Sequence, residues 1–332
     1  GLGPVRRRPI GSGQRPLNRG DIHPHKYHRR SALYLYRPQN RSGGRFIGMA
    51  QRDLLKEGIL GNKKILIGSA IIGTVLIIAL FAPLIAPHDP EAIDLRNRIA
   101  PWTLEHPLGT DYMGRCLLSM LVYGLRLSLF IAAVVLLIRV ALGTALGMMA
   151  GYFGGTADRL ICRIIDFELV FPDIVLALVL VGTLGPGVPN LILALSIVGW
   201  SKYARVIRST VISVKEKGFV ESARALGASE SYIMGRHILP NTIAPLIPMI
   251  TLGLGGLLLS VSGLSFIGLG VEAGTPELGM MIKNGFGVFP GHPHLVLVPS
   301  ALIIVCVTGF TLIGDGLRDQ LDPRKGNPFN LS

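Results

Sequence analysis

Six segments of about 20 mainly apolar residues constrain the fold of this chain more than any other feature. A helix rises about 1.5 Å per residue, so about 20 residues cross the roughly 30 Å hydrocarbon core of a bilayer. A composition of 49% hydrophobic and 16% charged residues agrees with a membrane protein. The sequence therefore predicts an all-α membrane protein with six transmembrane helices, at residues 65–86, 127–147, 161–184, 191–212, 243–267 and 295–314.

Lysine and arginine are concentrated on one side of these predicted spans. Fifteen precede the first span and seven lie within residues 202–236, whereas residues 87–126 hold four and residues 268–294 hold only Lys283. Cytoplasmic loops of membrane proteins carry an excess of basic residues. We therefore predict that both termini and residues 218–241 lie in the cytoplasm, which an even number of spans allows.

The N-terminal residues 1–48 differ from the rest of the chain. They contain eleven Lys and Arg but a single acidic residue, Asp21, and no apolar periodicity. Such a segment cannot bury enough surface to fold alone. A basic tail near anionic lipid, a transit-like peptide and an extension outside the functional protein remain as interpretations. We predict a disordered basic extension at 1–48, a cytoplasmic segment at 49–64, a six-span domain at 65–325 and a C-terminal tail at 326–332.

Residues 218–241 form a polar island between apolar segments. Residues 221–226 are good helix formers, and Gly227 stands at the expected helix end, where a left-handed backbone is favoured. A second helical segment should run through Tyr232 and Met234 and stop at Pro240-Asn241. We predict an amphipathic helical hairpin that docks into a groove of a soluble partner, with a plain cytoplasmic loop as the alternative. Its apolar face would comprise Phe219, Leu226, Ile233 and Met234, and its basic face Arg224, Arg236 and His237.

The third predicted span contains two aspartates, Asp166 and Asp173. Asp166 is predicted to pair with Arg163, three residues earlier on the same helix face. Charged groups inside a membrane usually face a partner or a water-filled path. Asp173 therefore has three interpretations: a lining residue of a translocation path, a buried ion pair with Arg139 or Lys202, or chance placement at the interface. We take Asp166 and Asp173 as candidate path residues.

Backbone and small residues give further expectations for the spans. Pro172 lacks an amide hydrogen and should kink the third span. Gly143, Gly147 and Gly151 recur every four residues, a spacing that lets another helix approach closely. Arg139 lies towards the cytoplasmic end of the second span, where its side chain is predicted to snorkel to the interface.

The sequence offers no motif for covalent chemistry. It has no G-x-x-x-x-G-K-[ST] phosphate loop, no H-E-x-x-H and no G-x-S-x-G. Three cysteines have no metal-ligand spacing, and Cys116 is interpreted as a loop residue of unknown role. His292 and His294 alone are weak evidence of a metal site. We therefore predict a non-enzymatic chain that carries no cofactor or metal.

Two motifs resemble one family of transporters. Glu221, Ala223, Gly227 and Ile238-Leu239-Pro240 resemble the EAA loop of binding-protein-dependent ABC importer permeases, with Ser222 where that family usually has Ala. Residues 106–115, HPLGTDYMGR, resemble a segment of the second permease in dipeptide, oligopeptide and nickel importers. That family commonly has Asp at the position of Cys116. The similarity extends over about residues 65–324.

This resemblance implies the type I ABC importer permease fold and a multi-pass protein of the plasma (inner) membrane. It implies a partner permease, two ATP-binding subunits that carry ATP and Mg, an extracytoplasmic substrate-binding protein and the lipid membrane, but no nucleic acid. The implied coupling residues are Glu221, Ser222, Ala223, Arg224, Ala225, Leu226, Gly227, Ile238, Leu239 and Pro240.

The expected function is half of a translocation pathway for di- and oligopeptides. Nickel or another metal chelate is the alternative cargo. A stand-alone ion-coupled carrier or channel is the alternative of another class, and a membrane-embedded enzyme lacks paired catalytic groups.

Overall fold

The computed structural model describes residues 61–321, which are mainly helical. Within this range there is no β-strand, only an isolated bridge between Thr110 and Cys116. The predicted all-α fold class is therefore confirmed. The helices of eight or more residues are α1 Lys63–Leu80, α2 Leu117–Phe153, α3 Gly155–Val170, α4 Asp173–Leu184, α5 Val188–Ile197, α6 Trp200–Lys215, α7 Gly218–Ala225, α8 Leu246–Ile267, α9 Leu278–Phe286 and α10 His294–Leu321.

Four of these helices, α1, α2, α8 and α10, are long and apolar enough to cross a membrane by length and composition. Two of them extend well beyond the predicted spans, because α2 has 37 residues and α10 has 28. Helix α2 continues until Gly154, which adopts a positive φ of 66°. The apolar segment therefore sets the minimum length of each helix, and the next helix-ending residue sets its actual end.

The third and fourth predicted spans, 161–184 and 191–212, are each divided into two shorter helices, so the prediction of single spans there is wrong. Phe171 and Pro172 are extended and separate α3 from α4. Proline lacks the amide hydrogen that would continue the helix, and it disfavours the helical conformation of the residue before it. Gly199 is left-handed, with φ of 88°, and separates α5 from α6.

Helices α1 and α10 pack side by side in opposite directions. The Asn62 side chain donates to the carbonyl of Gly316 at 3.2 Å, and Lys64 Nζ lies 2.9 Å from Asp319 Oδ2. A Cβ atom at Gly309 would lie within 2.9 Å of side-chain atoms of α1. These contacts place the start of α1 beside the end of α10.

The glycine stripe of α2 packs directly against α6. A Cβ atom at Gly143, Gly147 or Gly151 would lie 2.6 to 2.8 Å from a carbonyl oxygen of α6, at Trp200, Ala204 and Arg208 respectively. The two helices therefore approach at backbone contact distance every four residues. The predicted packing role of this stripe is confirmed.

Candidate functional site: the hairpin and the helix breaks

The hairpin of residues 218–241 packs on the ends of α2 and α6. Val220, Ile233 and Ile238 are fully buried in a cluster that includes Val214 at the end of α6 and Tyr152 at the end of α2. Arg224 Nη2 also donates to the hydroxyl of Tyr152 at 3.4 Å. One apolar side of the hairpin is therefore attached to the span bundle.

The predicted single apolar face of the hairpin is wrong, because its apolar residues divide between two sides. Ile233 is buried and Met234 is half-buried, but Phe219 is exposed and Leu226 is 87% exposed. The contact with α6, which no local pattern reveals, decides which side is buried. Leu226 is left as a large apolar side chain at the surface.

Gly227 ends the first helix of the hairpin with a left-handed backbone, φ of 82°, as predicted. The Ala228 amide donates to the carbonyl of Ala223 at 3.1 Å, and the Gly227 amide donates to the carbonyl of Arg224 at 3.0 Å. This pair of bonds is the Schellman motif, which gives partners to carbonyls at a helix end. It turns the chain sharply after Leu226 and exposes that side chain.

The second segment of the hairpin ends at Thr242, next to the predicted stop at Pro240-Asn241. A π-helical turn at Ile233–Ile238 leads into the short helix Leu239–Thr242, with Pro240 near its start. Proline is tolerated there, because the first amides of a helix need no intrahelical acceptor. The Asn241 side chain donates to the carbonyl of His237 at 2.6 Å.

Most of the predicted coupling residues lie at the surface. Ile238 is buried and serves as an anchor, whereas Ala223 and Leu239 are half-buried. The remaining residues are exposed and, except for the last, belong to the first helix and its cap: Glu221, Ser222, Arg224, Ala225, Leu226, Gly227 and Pro240.

The two helix breaks lie near Arg139, which is buried and not at the membrane interface as predicted. Arg139 of α2 is 8% exposed, so the snorkelling prediction is wrong, and its Nε donates to the carbonyl of Leu195 at 2.7 Å. Glu168 accepts a hydrogen bond from the amide of Gly199. The break at Gly199 leaves the carbonyl of Leu195 and the amide of Gly199 without helical partners, and lipid offers no hydrogen bonds to them. The side chains of Arg139 and Glu168 provide these hydrogen bonds. Their charges within apolar segments were the available signal for this role.

Asp173 and Asp166 each join the broken third segment to α6. Asp173 Oδ2 lies 2.6 Å from Lys202 Nζ, but both side chains are partly exposed, so this is not the buried ion pair given as one alternative, and Arg139 bonds elsewhere. Asp166 Oδ1 lies 2.7 Å from Arg205 Nη2, so the predicted pairing with Arg163 is wrong. A partner on a packed neighbouring helix replaces the local one.

A third ion pair joins the first turn of α3 to α6. Arg208 donates from Nε and Nη2 to the two carboxylate oxygens of Asp158, at 2.5 and 2.7 Å. This two-pronged contact holds the pKa of Asp158 below its ordinary value. The carboxylate therefore stays charged and holds α3 against α6.

The segment at the other end of α2 is an ordered structure. Arg115 is buried and donates from Nε to Asp111 Oδ2 at 2.8 Å, and from Nη1 to the carbonyl of Gly274 at 2.9 Å. Thr110 Oγ1 accepts from the amide of Ala100 and donates to the carbonyl of Asn97. The polar residues of HPLGTDYMGR thus hold the segment to itself and to the chain before α9.

These features define a multi-pass membrane permease. Four long apolar helices pack with two interrupted helical segments, and the charged side chains of Arg139 and Glu168 are buried near the interruptions. A surface hairpin is attached at one end of this bundle. The chain belongs to the family described as the binding-protein-dependent transport system inner membrane component, which matches residues 143–327. Residues 59–107 match the N-terminal TM domain of oligopeptide transport permease C. The family consists of membrane permease subunits of ABC importers, so the predicted non-enzymatic role and inner-membrane location are confirmed.

Relatives cover most of the chain. It is 41% identical to the dipeptide transport system permease protein DppC of Alkalihalophilus pseudofirmus, over 79% of this chain and 86% of that protein. It is 37% identical to the probable D,D-dipeptide transport system permease protein DdpC of Escherichia coli, over 87% and 95%. It is 39% identical to the glutathione transport system permease protein GsiD of Escherichia coli, over 75% and 82%.

Proposed function

We propose that this chain forms half of a membrane pathway through which an ABC importer carries di- and oligopeptides. The relatives above are named for dipeptides, D,D-dipeptides and glutathione, which are all short peptides. None of these three names refers to nickel or to an ion-coupled carrier. Short peptide is therefore the cargo with the most support.

The observation that carries this proposal is the exposed hairpin fixed to the end of α2. Its buried side holds Val220, Ile233 and Ile238 against the bundle, and its outer side presents Leu226 and Glu221. An ATP-binding subunit, carrying ATP and Mg, would receive the outer side in a groove. Force applied there would reach α2 and α6 through the buried side, since packed helices move as rigid bodies.

Helix α2 is long enough to transmit this movement across the membrane. Its 37 residues correspond to about 55 Å, more than the thickness of a hydrocarbon core. One end contacts the hairpin through Tyr152. The other end follows residues 87–116, which include Arg115 and are called the external segment. A tilt of α2 would therefore move both mouths of the pathway, and the external segment would lie where a substrate-binding protein delivers cargo.

A second permease subunit would cover α4. Only Ala177 and Val181 of its twelve residues are buried in this chain, although the helix is strongly apolar. Asp173 at the start of α4 and its partner Lys202 on α6 are also partly exposed. A homologous subunit placed against α4 would enclose these charges in a shared pathway, with Asp166 and Asp173 near it.

The hairpin is tested by two substitutions with matched controls. Leu226→Ser removes the exposed apolar contact, and Gly227→Val forces a β-branched residue into a left-handed backbone at a cost of about 1–2 kcal/mol. We expect both to weaken binding of the ATP-binding subunits about tenfold or more, as for hot-spot residues. The measurements are detergent pull-down of those subunits and transport-coupled ATP hydrolysis.

The controls repeat the same chemical changes on other parts of the chain. Leu104 is exposed to the same degree as Leu226, and Gly185 ends α4 with φ of 84° and open space around its Cβ position. Leu104→Ser and Gly185→Val should leave binding of the ATP-binding subunits intact. Full binding and full hydrolysis with both hairpin variants would show that the hairpin is not the docking element.

Cargo is tested separately in proteoliposomes that contain the assembled importer and its substrate-binding protein. We expect ATP-dependent uptake of a labelled dipeptide, with competition by unlabelled tripeptide and none by nickel. Uptake of nickel without uptake of the dipeptide would replace the cargo but keep the importer. Uptake driven by an ion gradient without ATP would reject the importer.

A further inference from the structure

Three side chains with metal-binding donors converge in the external segment, on residues to which the transport function assigns no role. The donor atoms of His88, His106 and Cys116 all lie within 4.8 Å of one another. The residues come from three separate stretches: the chain after α1, the HPLGTDYMGR segment and the start of α2. Their convergence is therefore a product of the fold and not of sequence proximity.

The backbone holds each of these residues in place. The His88 amide donates to Ser119 Oγ of α2 at 3.2 Å. The His106 amide donates to Thr103 Oγ1 at 2.9 Å, and its carbonyl accepts from Gly109 at 2.8 Å. Cys116 is buried, forms the bridge with Thr110 and precedes the first turn of α2. The backbone positions of the three residues are thus set before any ion arrives.

The donors themselves remain available. Nδ1 of His106 is buried and has no hydrogen-bond partner among residues 61–321, and the Cys116 thiol is free of any disulfide. A buried polar atom without a partner costs free energy, so such atoms call for a ligand. The rings of His88 and His106 stack with their centroids 4.5 Å apart, so the two imidazoles lie side by side.

We propose that His88, His106 and Cys116 bind one Zn²⁺ ion, with water in the fourth position. Imidazole and thiolate are the ligands that Zn²⁺ prefers in tetrahedral sites. Bonds of about 2.0–2.3 Å place tetrahedral donor atoms about 3.5 Å apart. Side-chain rotations that bring the donor atoms about 1 Å closer together therefore form the site. The thiol proton is released to solvent when the ion binds.

The ion would link three parts of the external segment. It would join the chain after α1 and the HPLGTDYMGR segment to the start of α2, the helix whose other end contacts the hairpin. A ligand that binds only the folded form stabilises it. In this proposal zinc therefore stabilises the folded external segment, whichever cargo is transported.

The test uses the full chain purified in detergent through a tag without histidine or cysteine, then stripped with a chelator. We expect one Zn²⁺ per chain by elemental analysis after dialysis and a higher melting temperature with zinc. Co²⁺ should bind with a thiolate-to-metal charge-transfer band. Cys116→Ser should abolish this band and lower zinc affinity more than about tenfold, because a hydroxyl is a poor ligand for these ions.

His106→Ala should also lose the site, whereas two controls should keep it. Cys162→Ser removes a cysteine of α3, and the double change of His292 and His294 to Ala removes two neighbouring histidines before and at the start of α10. Unchanged zinc binding and an unchanged cobalt spectrum in Cys116→Ser would overturn the proposal. Binding of less than one zinc at micromolar free metal in the wild-type chain would overturn it as well.

Discussion

Asp173 and Lys202 form an ion pair beside the two helix breaks, and the exposure of both side chains decides how the pair is interpreted. The side chains are 31% and 51% exposed. An ion pair that is this exposed contributes about 0–1 kcal/mol, whereas breaking a buried pair costs about 3–5 kcal/mol. We therefore expect Asp173→Asn to lower dipeptide uptake strongly while changing the melting temperature little.

The charge partner provides the control for this prediction. Lys202→Gln removes the same ion pair but leaves the carboxylate that would meet the amino group of a peptide. It should retain more uptake than Asp173→Asn in the same proteoliposomes, with equal subunit assembly. Normal uptake with Asp173→Asn would exclude Asp173 from the path, and a large loss of stability in both variants would make the pair structural.

At the scale of elements, the α2–α6 contact depends on the absence of side chains at three glycines. A Cβ atom at Gly147 would lie 2.6 Å from the carbonyl oxygen of Ala204, which is rigid backbone. Forcing extra volume into a packed contact typically costs about 1–3 kcal/mol. We expect Gly147→Ala to lower the melting temperature in detergent and to weaken coupling, because α6 carries the hairpin.

Gly256 is the matched position for that substitution. It also lies inside a long apolar helix, α8, but no atom lies within 4 Å of its Cβ position. Gly256→Ala should be neutral or slightly stabilising, since alanine is the better helix former by about 1 kcal/mol. Equal melting temperatures for the two variants would mean that α2 and α6 are less closely packed than the structure indicates.

The sequence predicted the elements that depend on composition and missed those that depend on neighbours. Hydropathy located α1, α8 and α10, because lipid thickness sets the length of apolar segments. Local residue chemistry predicted the turn at Gly227. The break at Gly199 could not be predicted, since it depends on Glu168 from another helix. The buried side of the hairpin depends on Val214 and Tyr152 in the same way.

At the scale of the whole molecule, the positions of the helix ends predict which regions lie on opposite sides of a membrane. The hairpin contacts Tyr152 at the last turn of α2, and the external segment precedes the first turn of that helix at Leu117. The start of α1 lies beside the end of α10. A membrane crossed by α2 therefore separates residue 229 from residue 105. Basic residues near the hairpin predict that its side is the cytoplasm.

Labelling of single added cysteines tests this topology. Glu105, Ser229 and Pro293 are all exposed, so each position should react when the reagent reaches its side. In intact cells, a membrane-impermeant thiol reagent should label Glu105→Cys and Pro293→Cys but label Ser229→Cys only after permeabilisation. The wild-type chain is the blank, because Cys116 and Cys306 are buried and Cys162 is half-buried. Labelling of Ser229→Cys from outside would place the hairpin away from any cytoplasmic ATP-binding subunit, and the coupling proposal would then fail.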